Sequence, residues 1–205
     1  APDPTESAAA AGPGLPVRGC PDGSPVDSPA MDEVQLEAYI RDVPDWPAPG
    51  VVFKDLTPLL ADPAAFASAV DRLCEHFVGR GITKVLGVEA RGFVIAAPVA
   101  YRLGAGFVPA RKLGRLPRAT HAEAYELEYG ADRLEVHLDA IEPGEQVLVV
   151  DDVLATGGTA AAAANLVEAL DGVVAGLGFV IELGFLDGAA RLGGRPHVSL
   201  VTYRD

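Results

Sequence analysis

The stretch Val147-Leu148-Val149-Val150-Asp151-Asp152-Val153-Leu154-Ala155-Thr156-Gly157-Gly158-Thr159 decides the fold. Val147 to Val150 form a short, β-branched apolar run, the composition of a parallel strand buried on both faces. Two adjacent carboxylates, Asp151 and Asp152, are expected to end that strand. Ala155 to Thr159 then open an Ala-rich run through Leu170 that reads as a helix. A strand, a Gly-rich turn and a helix start put free backbone N–H groups and a helix dipole around a small concavity. Glycine lets the main chain approach a ligand closely, and the threonine hydroxyls add donors.

That arrangement suits a phosphate, held by Ala155, Thr156, Gly157, Gly158 and Thr159. The anionic Asp151 and Asp152 cannot hold it. They suit hydroxyl groups or a magnesium ion, so the expected ligand carries a phosphate and a sugar diol together, as a ribose 5-phosphate does. Neither G-x-x-x-x-G-K-[ST] nor G-x-G-x-x-G occurs in the chain, which removes two common nucleotide fingerprints.

Composition narrows the class further. The 205 residues suffice for one α/β domain with a substantial core, or a small domain plus an extension. Hydrophobic content of 49% and a mean hydropathy of +0.23 fit a well-packed globule. No apolar run reaches the roughly 18 residues that would span a bilayer, so no membrane segment is expected. A net charge of −13 and a pI near 4.6 argue against non-specific nucleic-acid binding. Cys20 and Cys74 make neither a metal-ligand spacing nor a disulfide framework, and reduced thiols in a cytoplasmic protein are the plain expectation. His76, His121, His137 and His197 form no metal pattern. Against the acidic background, Arg111, Lys112, Arg115 and Arg118 lie close together with no acid among them, a cationic segment suited to an anionic ligand.

Residues 1–30 are dominated by Ala, Pro, Gly, Ser and Asp and are expected to be a disordered extension, with the catalytic domain at 31–205. Met31 is the only methionine and is expected to be the functional start. Residues 32–42 read as an amphipathic helix and Val43 to Gly50 as a Pro-rich loop. Asp62-Pro63 caps a helix running to about Gly79 or Gly81. Lys84 to Val88 reads as a strand, Phe93 to Leu103 as a helix and Gly106 to Ala110 as a strand. Residues 112–131 read as a long polar loop of the kind that serves as a lid. Arg133 to Leu138 alternates like an exposed strand, and Gly176 to Leu183 and His197 to Tyr203 supply the last strands. Strands alternating with helices predict a mostly parallel sheet with ligands at the carboxyl ends of its strands. Glu89-Ala90-Arg91-Gly92, Arg111-Lys112 and Asp151-Asp152 all begin at such ends.

The phosphate-loop string resembles the phosphoribosyl-diphosphate motif of type I phosphoribosyltransferases. Trp46-Pro47-Ala48-Pro49-Gly50-Val51-Val52-Phe53-Lys54-Asp55, Val88-Glu89-Ala90-Arg91-Gly92-Phe93 and Val108 to Pro117 extend the resemblance. With Tyr125-Glu126-Leu127-Glu128-Tyr129-Gly130, they narrow it to the adenine phosphoribosyltransferase family. The resemblance implies transfer of a phosphoribosyl group from 5-phosphoribosyl 1-diphosphate to adenine, giving AMP and diphosphate in purine salvage, with Mg2+ as cofactor and a homodimer as assembly. It implies that Val52 and Phe53 hold the base and that Glu128 is the catalytic acid, with Tyr129 covering the diphosphate side. Arg91, Lys112, Arg115 and, with poorer geometry, Lys54 would meet the diphosphate, and Arg111 would lie near the subunit contact. The chain departs from the family at Arg115, where lysine is usual, and at Ala119 to Ala122. A 6-oxopurine would call for a lysine downstream of the phosphate loop, and Lys54, Lys84 and Lys112 all precede it. A DNA-binding sensor of the same fold would need a basic helix-turn-helix segment, which residues 1–30 do not supply.

Overall fold

The computed structural model describes residues 30–127 and 130–204. A short helix, α1 (Glu33–Glu37), is capped by Asp32, whose carboxylate accepts from the Gln35 N–H while Gln35 answers the Asp32 N–H. Two antiparallel strands follow, β1 (Arg41–Pro44) and β2 (Val52–Asp55), with Arg41 opposite Asp55 and Val43 opposite Phe53. The helix expected over 32–42 is therefore cut short. Residues 41–44 give up helical periodicity for ladder bonds to a partner ten residues on, which local spacing cannot reveal.

After α2 (Thr57–Ala61), Asp62 caps α3 (Pro63–Phe77) as expected, accepting from the Ala64 and Ala65 N–H groups. Next come β3 (Lys84–Val88), α4 (Arg91–Leu103) and β4 (Gly106–Lys112), the last two longer than the apolar runs that announce them. Residues 120–127 and 130–137 pair as antiparallel strands, β5 (Thr120–Leu127) and β6 (Gly130–His137), where a polar loop was expected through 131. Strand β6 is not exposed either, because Leu134, Glu135 and Val136 are all buried. The chain continues through β7 (Gln146–Leu154), α5 (Gly158–Ala169), β8 (Val173–Leu183), two 3-10 turns between Gly184 and Leu192, and β9 (His197–Tyr203).

The main sheet has the order β5-β6-β4-β3-β7-β8-β9, parallel from β4 to β9 with the hairpin antiparallel on one edge. Strand β7 lies near its middle and feeds both faces. Val147 and Val149 enter the core shared with α5, while Leu148 and Val150 enter the core shared with α3 and α4. Asp151 and Asp152 do not end this strand. They sit within it, paired beside β8 as far as Leu154, so the central sheet fixes their backbone.

Candidate active site

At the carboxyl ends of β3 and β7 lies a cleft of about 350 Å³. Its floor is the acid pair: Asp151 is 9% exposed and Asp152 5%. The Asp151 carboxylate accepts the Asp152 N–H at 2.9 Å. Burial and the neighbouring Asp152 charge nonetheless push Asp151 well above the ordinary carboxylate range. Gly92, at the start of α4, packs so tightly here that a Cβ would stand 2.5 Å from Asp151 Oδ1.

Beyond the acids the chain turns through Ala155 and Thr156 into α5, whose N-cap is Gly157 at φ +80°. That left-handed conformation suits glycine, and a Cβ there would lie 2.2 Å from the Gly188 carbonyl oxygen. No side chain caps α5. Its first-turn amides therefore face the cleft as an anion cradle, with Thr156 and Thr159 beside them.

The opposite wall combines β2 with the turn after β3. Val52 is 48% exposed at the rim, and Phe53 packs edge-on against Trp46 with centroids 4.4 Å apart. Arg91 lies between the two halves of the site. Its Nε is 2.7 Å from Asp152 Oδ2, and its guanidinium sits 5.0 Å from the Phe53 ring centre. The contact with Asp152 is an ion pair without hydrogen-bond alignment, so the buried Oδ2 keeps its lone pairs for another donor.

Asp151, Asp152, Ala155 to Thr159, Val52, Phe53, Lys54 and Arg91 thus share one cleft. Other expected residues do not line it. Lys54 reaches the wall, but its ammonium is 2.6 Å from Asp42 and packs over the Tyr203 ring. Arg111 donates to both Glu89 oxygens, and its third nitrogen donates to the Arg115 carbonyl. Glu89 also accepts the Lys112 N–H, while the Lys112 ammonium is 3.1 Å from Asp132. Glu128 and Tyr129 lie outside the described residues.

Three contributors escaped sequence reasoning. Glu89 was visible within the Arg91 string, yet nothing local says that it grips Arg111. Tyr125 lines the cleft from the hairpin. Glu135, only 3% exposed, accepts from the Arg115 and Leu116 N–H groups and the Thr120 hydroxyl. Alternation placed a carboxylate inside β6 without showing the donors that justify it.

An uncapped helix start beside two buried carboxylates, on a mostly parallel sheet flanked by helices, is the arrangement of a type I phosphoribosyltransferase. Residues 58–184 match the family model of the phosphoribosyl transferase domain. Over 157 residues the chain is 59% identical to an adenine phosphoribosyltransferase of Acidothermus cellulolyticus, covering 77% of this chain and 89% of that one. The crystal structure of adenine phosphoribosyltransferase from Thermoanaerobacter pseudethanolicus superposes with a TM-score of 0.81 at 48% identity, covering 83% and 99%. The Saccharomyces cerevisiae enzyme, complexed with adenine and an imino-altritol bisphosphate, superposes at 0.78 with 39% identity, covering 82% and 97%. The chain belongs to the adenine phosphoribosyltransferase family.

Proposed function

We propose that this cleft joins adenine to 5-phosphoribosyl 1-diphosphate, forming AMP and releasing diphosphate, as a step of purine salvage. The observation that carries the reading is the junction of β7 and α5, where an uncapped helix start adjoins two buried acids. The 5-phosphate sits on the Ala155 to Thr159 amides. Asp151 and Asp152 accept from the ribose hydroxyls, and the Asp152 charge lies where positive charge develops at the sugar as its bond to diphosphate loosens.

Arg91 stands between sugar and base, free to exchange its Asp152 contact for diphosphate oxygens. The apolar wall of Val52 and Phe53 receives the uncharged purine. Glu128 manages the proton of the imidazole ring, and Tyr129 closes over the diphosphate, both carried from the family pattern. A closed hairpin excludes water from an activated sugar.

Magnesium fits as a substrate-held ion. The described residues contain no cluster of three metal-ligating side chains, but Asp152 Oδ2 is a buried oxygen without a hydrogen bond. Mg2+ ordinarily takes one or two carboxylates and completes its shell with waters and substrate phosphates. When bound, it neutralises charge gathering on the leaving diphosphate.

The assembly we infer is a homodimer. Val94 and Tyr101 on α4, Phe107 on β4 and Leu113 beyond it are exposed large apolar residues. A cytoplasmic location accords with the two-cysteine composition. No helix among the described residues is long and apolar enough to cross a membrane.

The decisive experiment is diphosphate release from 5-phosphoribosyl 1-diphosphate with magnesium, run in parallel with adenine, hypoxanthine, guanine and xanthine. Release with adenine alone is expected. Release with an oxopurine would remove the role given to Val52 and Phe53.

A further inference from the structure

Tyr125 belongs neither to the phosphate loop nor to the cationic segment, yet it lines the cleft beside the first and is tied to the second through Asp132. It stands on β5 directly opposite Asp132 on β6, and its side chain lines the cleft beside Thr159. Its hydroxyl donates to Asp132 Oδ2 at 3.4 Å, and Thr159 lines the cleft beside it. The same Asp132 carboxylate accepts the Arg133 N–H at 2.8 Å and holds the Lys112 ammonium at 3.1 Å. One phenol therefore links the start of α5 to the cationic end of β4 through a single carboxylate.

We propose that Tyr125 is a substrate-binding residue at the 5-phosphate end of the site, with Asp132 as the positioning residue that aims its hydroxyl. The argument is one of donors and acceptors. A phenol carries one proton, and here it is spent on a long bond to a carboxylate that Lys112 and Arg133 already satisfy. A phosphate dianion seated on the α5 amides brings a stronger acceptor within reach of Thr159 and of the hydroxyl beside it. The proton of Tyr125 turns to the phosphate oxygen, the Thr159 hydroxyl follows, and no proton changes owner. Burial and the Asp132 charge raise the phenol above its ordinary range, so it remains a donor at neutral pH.

This inference rests on the assignment of residues 155–159 to the 5-phosphate, and the test separates the two. Binding of ribose 5-phosphate and of inorganic diphosphate is measured calorimetrically for the full chain and for Tyr125→Phe, which keeps the ring. Ribose 5-phosphate should weaken about tenfold, the loss expected of a hydrogen bond to a charged group, while inorganic diphosphate changes less than twofold and the melting temperature holds. Equal weakening of both ligands, or of neither, would overturn the proposal. Combining Tyr125→Phe with Thr159→Val should cost less than the product of the single losses, because the two hydroxyls act on one phosphate. Multiplicative losses would count against it. Failure of the unaltered protein to bind ribose 5-phosphate would remove the loop assignment, and this inference with it.

Discussion

The phosphate end of the cleft rests on close apolar packing, whereas the segment bearing Arg111, Lys112 and Arg115 is held by carboxylates. Val147 to Val150 are fully buried and fix the acid pair from the middle of the sheet. Glycines at 92 and 157 let backbone and carboxylate meet at distances no side chain would permit. Across the cleft, Glu89, Asp132 and Glu135 bond to arginine, lysine and loop amides in place of such packing. A packed region has one arrangement, and its functional groups come preorganised. A region tied by ion pairs can trade partners, which suits the diphosphate role proposed for Lys112 and Arg115.

The largest effect should come from the packed end. Changing Asp151 and Asp152 together to Asn is expected to lower turnover about 1,000-fold, the scale of losing preorganised charge at a developing cation. The fold should not suffer. An acid whose folded pKa is raised contributes stability below its unfolded value and loses it as pH rises through the folded one. Asp151 is such an acid, so its charge opposes folding at neutral pH. Asp151→Asn should therefore melt higher than the unaltered chain near pH 7, with the gap closing toward pH 4. A gap that widens on acidification would contradict the burial argument.

Glu128→Gln tests the acid that the family pattern assigns to the chemistry. Turnover should fall about 100-fold, in the range of general acid–base contributions, with little change in KM for adenine. A rise in KM alone would make Glu128 a binding group and leave the chemistry to the packed end.

Glu135 asks how far carboxylates can replace packing. Burial raises its pKa, but the Leu116 N–H, the Thr120 hydroxyl and the Arg115 N–H outweigh that and hold it below the usual range. Its contribution to stability is therefore present above the unfolded value and is lost as pH falls through the folded one. Glu135→Ala strands those donors and should cost roughly 2–4 kcal/mol. Denaturant titration checks the loss, and KM for phosphoribosyl diphosphate should rise as the Arg115 segment loosens. A stability change below about 0.5 kcal/mol, the scale of a surface substitution, would show that β4 and β6 hold the segment unaided.

The same contrast explains what was legible. Strand β3 and the cap of α3 follow from a local apolar run and from Asp62-Pro63, because a strand buried inside a parallel sheet is apolar nearly throughout. The turn from β7 into α5 was legible because it lies within one continuous stretch of chain, though Asp151 and Asp152 fall inside β7 and not at its end. The hairpin was not. Its residues from Thr120 to Leu127 are half polar, form the edge of the sheet and derive their order from β6. Strand β1 was hidden likewise, since Tyr39 and Ile40 continue a helical spacing that pairing with β2 overrides. Arg111 and Lys112 were recognised as cations, but their partners Glu89 and Asp132 lie about twenty residues away in sequence. Spacing records a residue's own periodicity and is silent about the partner that neutralises it.

The smallest effect is expected at the amino-terminal extension. The packed domain takes hold at Met31, whose N–H donates to the Ser68 hydroxyl at 2.8 Å and whose carbonyl accepts from Arg72 at 2.9 Å. A chain begun at Met31 keeps both bonds, because a terminal ammonium still donates to Ser68. Removing residues 1–30 should therefore leave turnover within about twofold and move the melting temperature by less than about 2 °C, the shift of a few tenths of a kcal/mol in a domain this size. A larger loss of stability would mean that the extension packs on the domain. A loss of turnover alone would give it a share in the site, extending the partner-trading side of the comparison to a third segment.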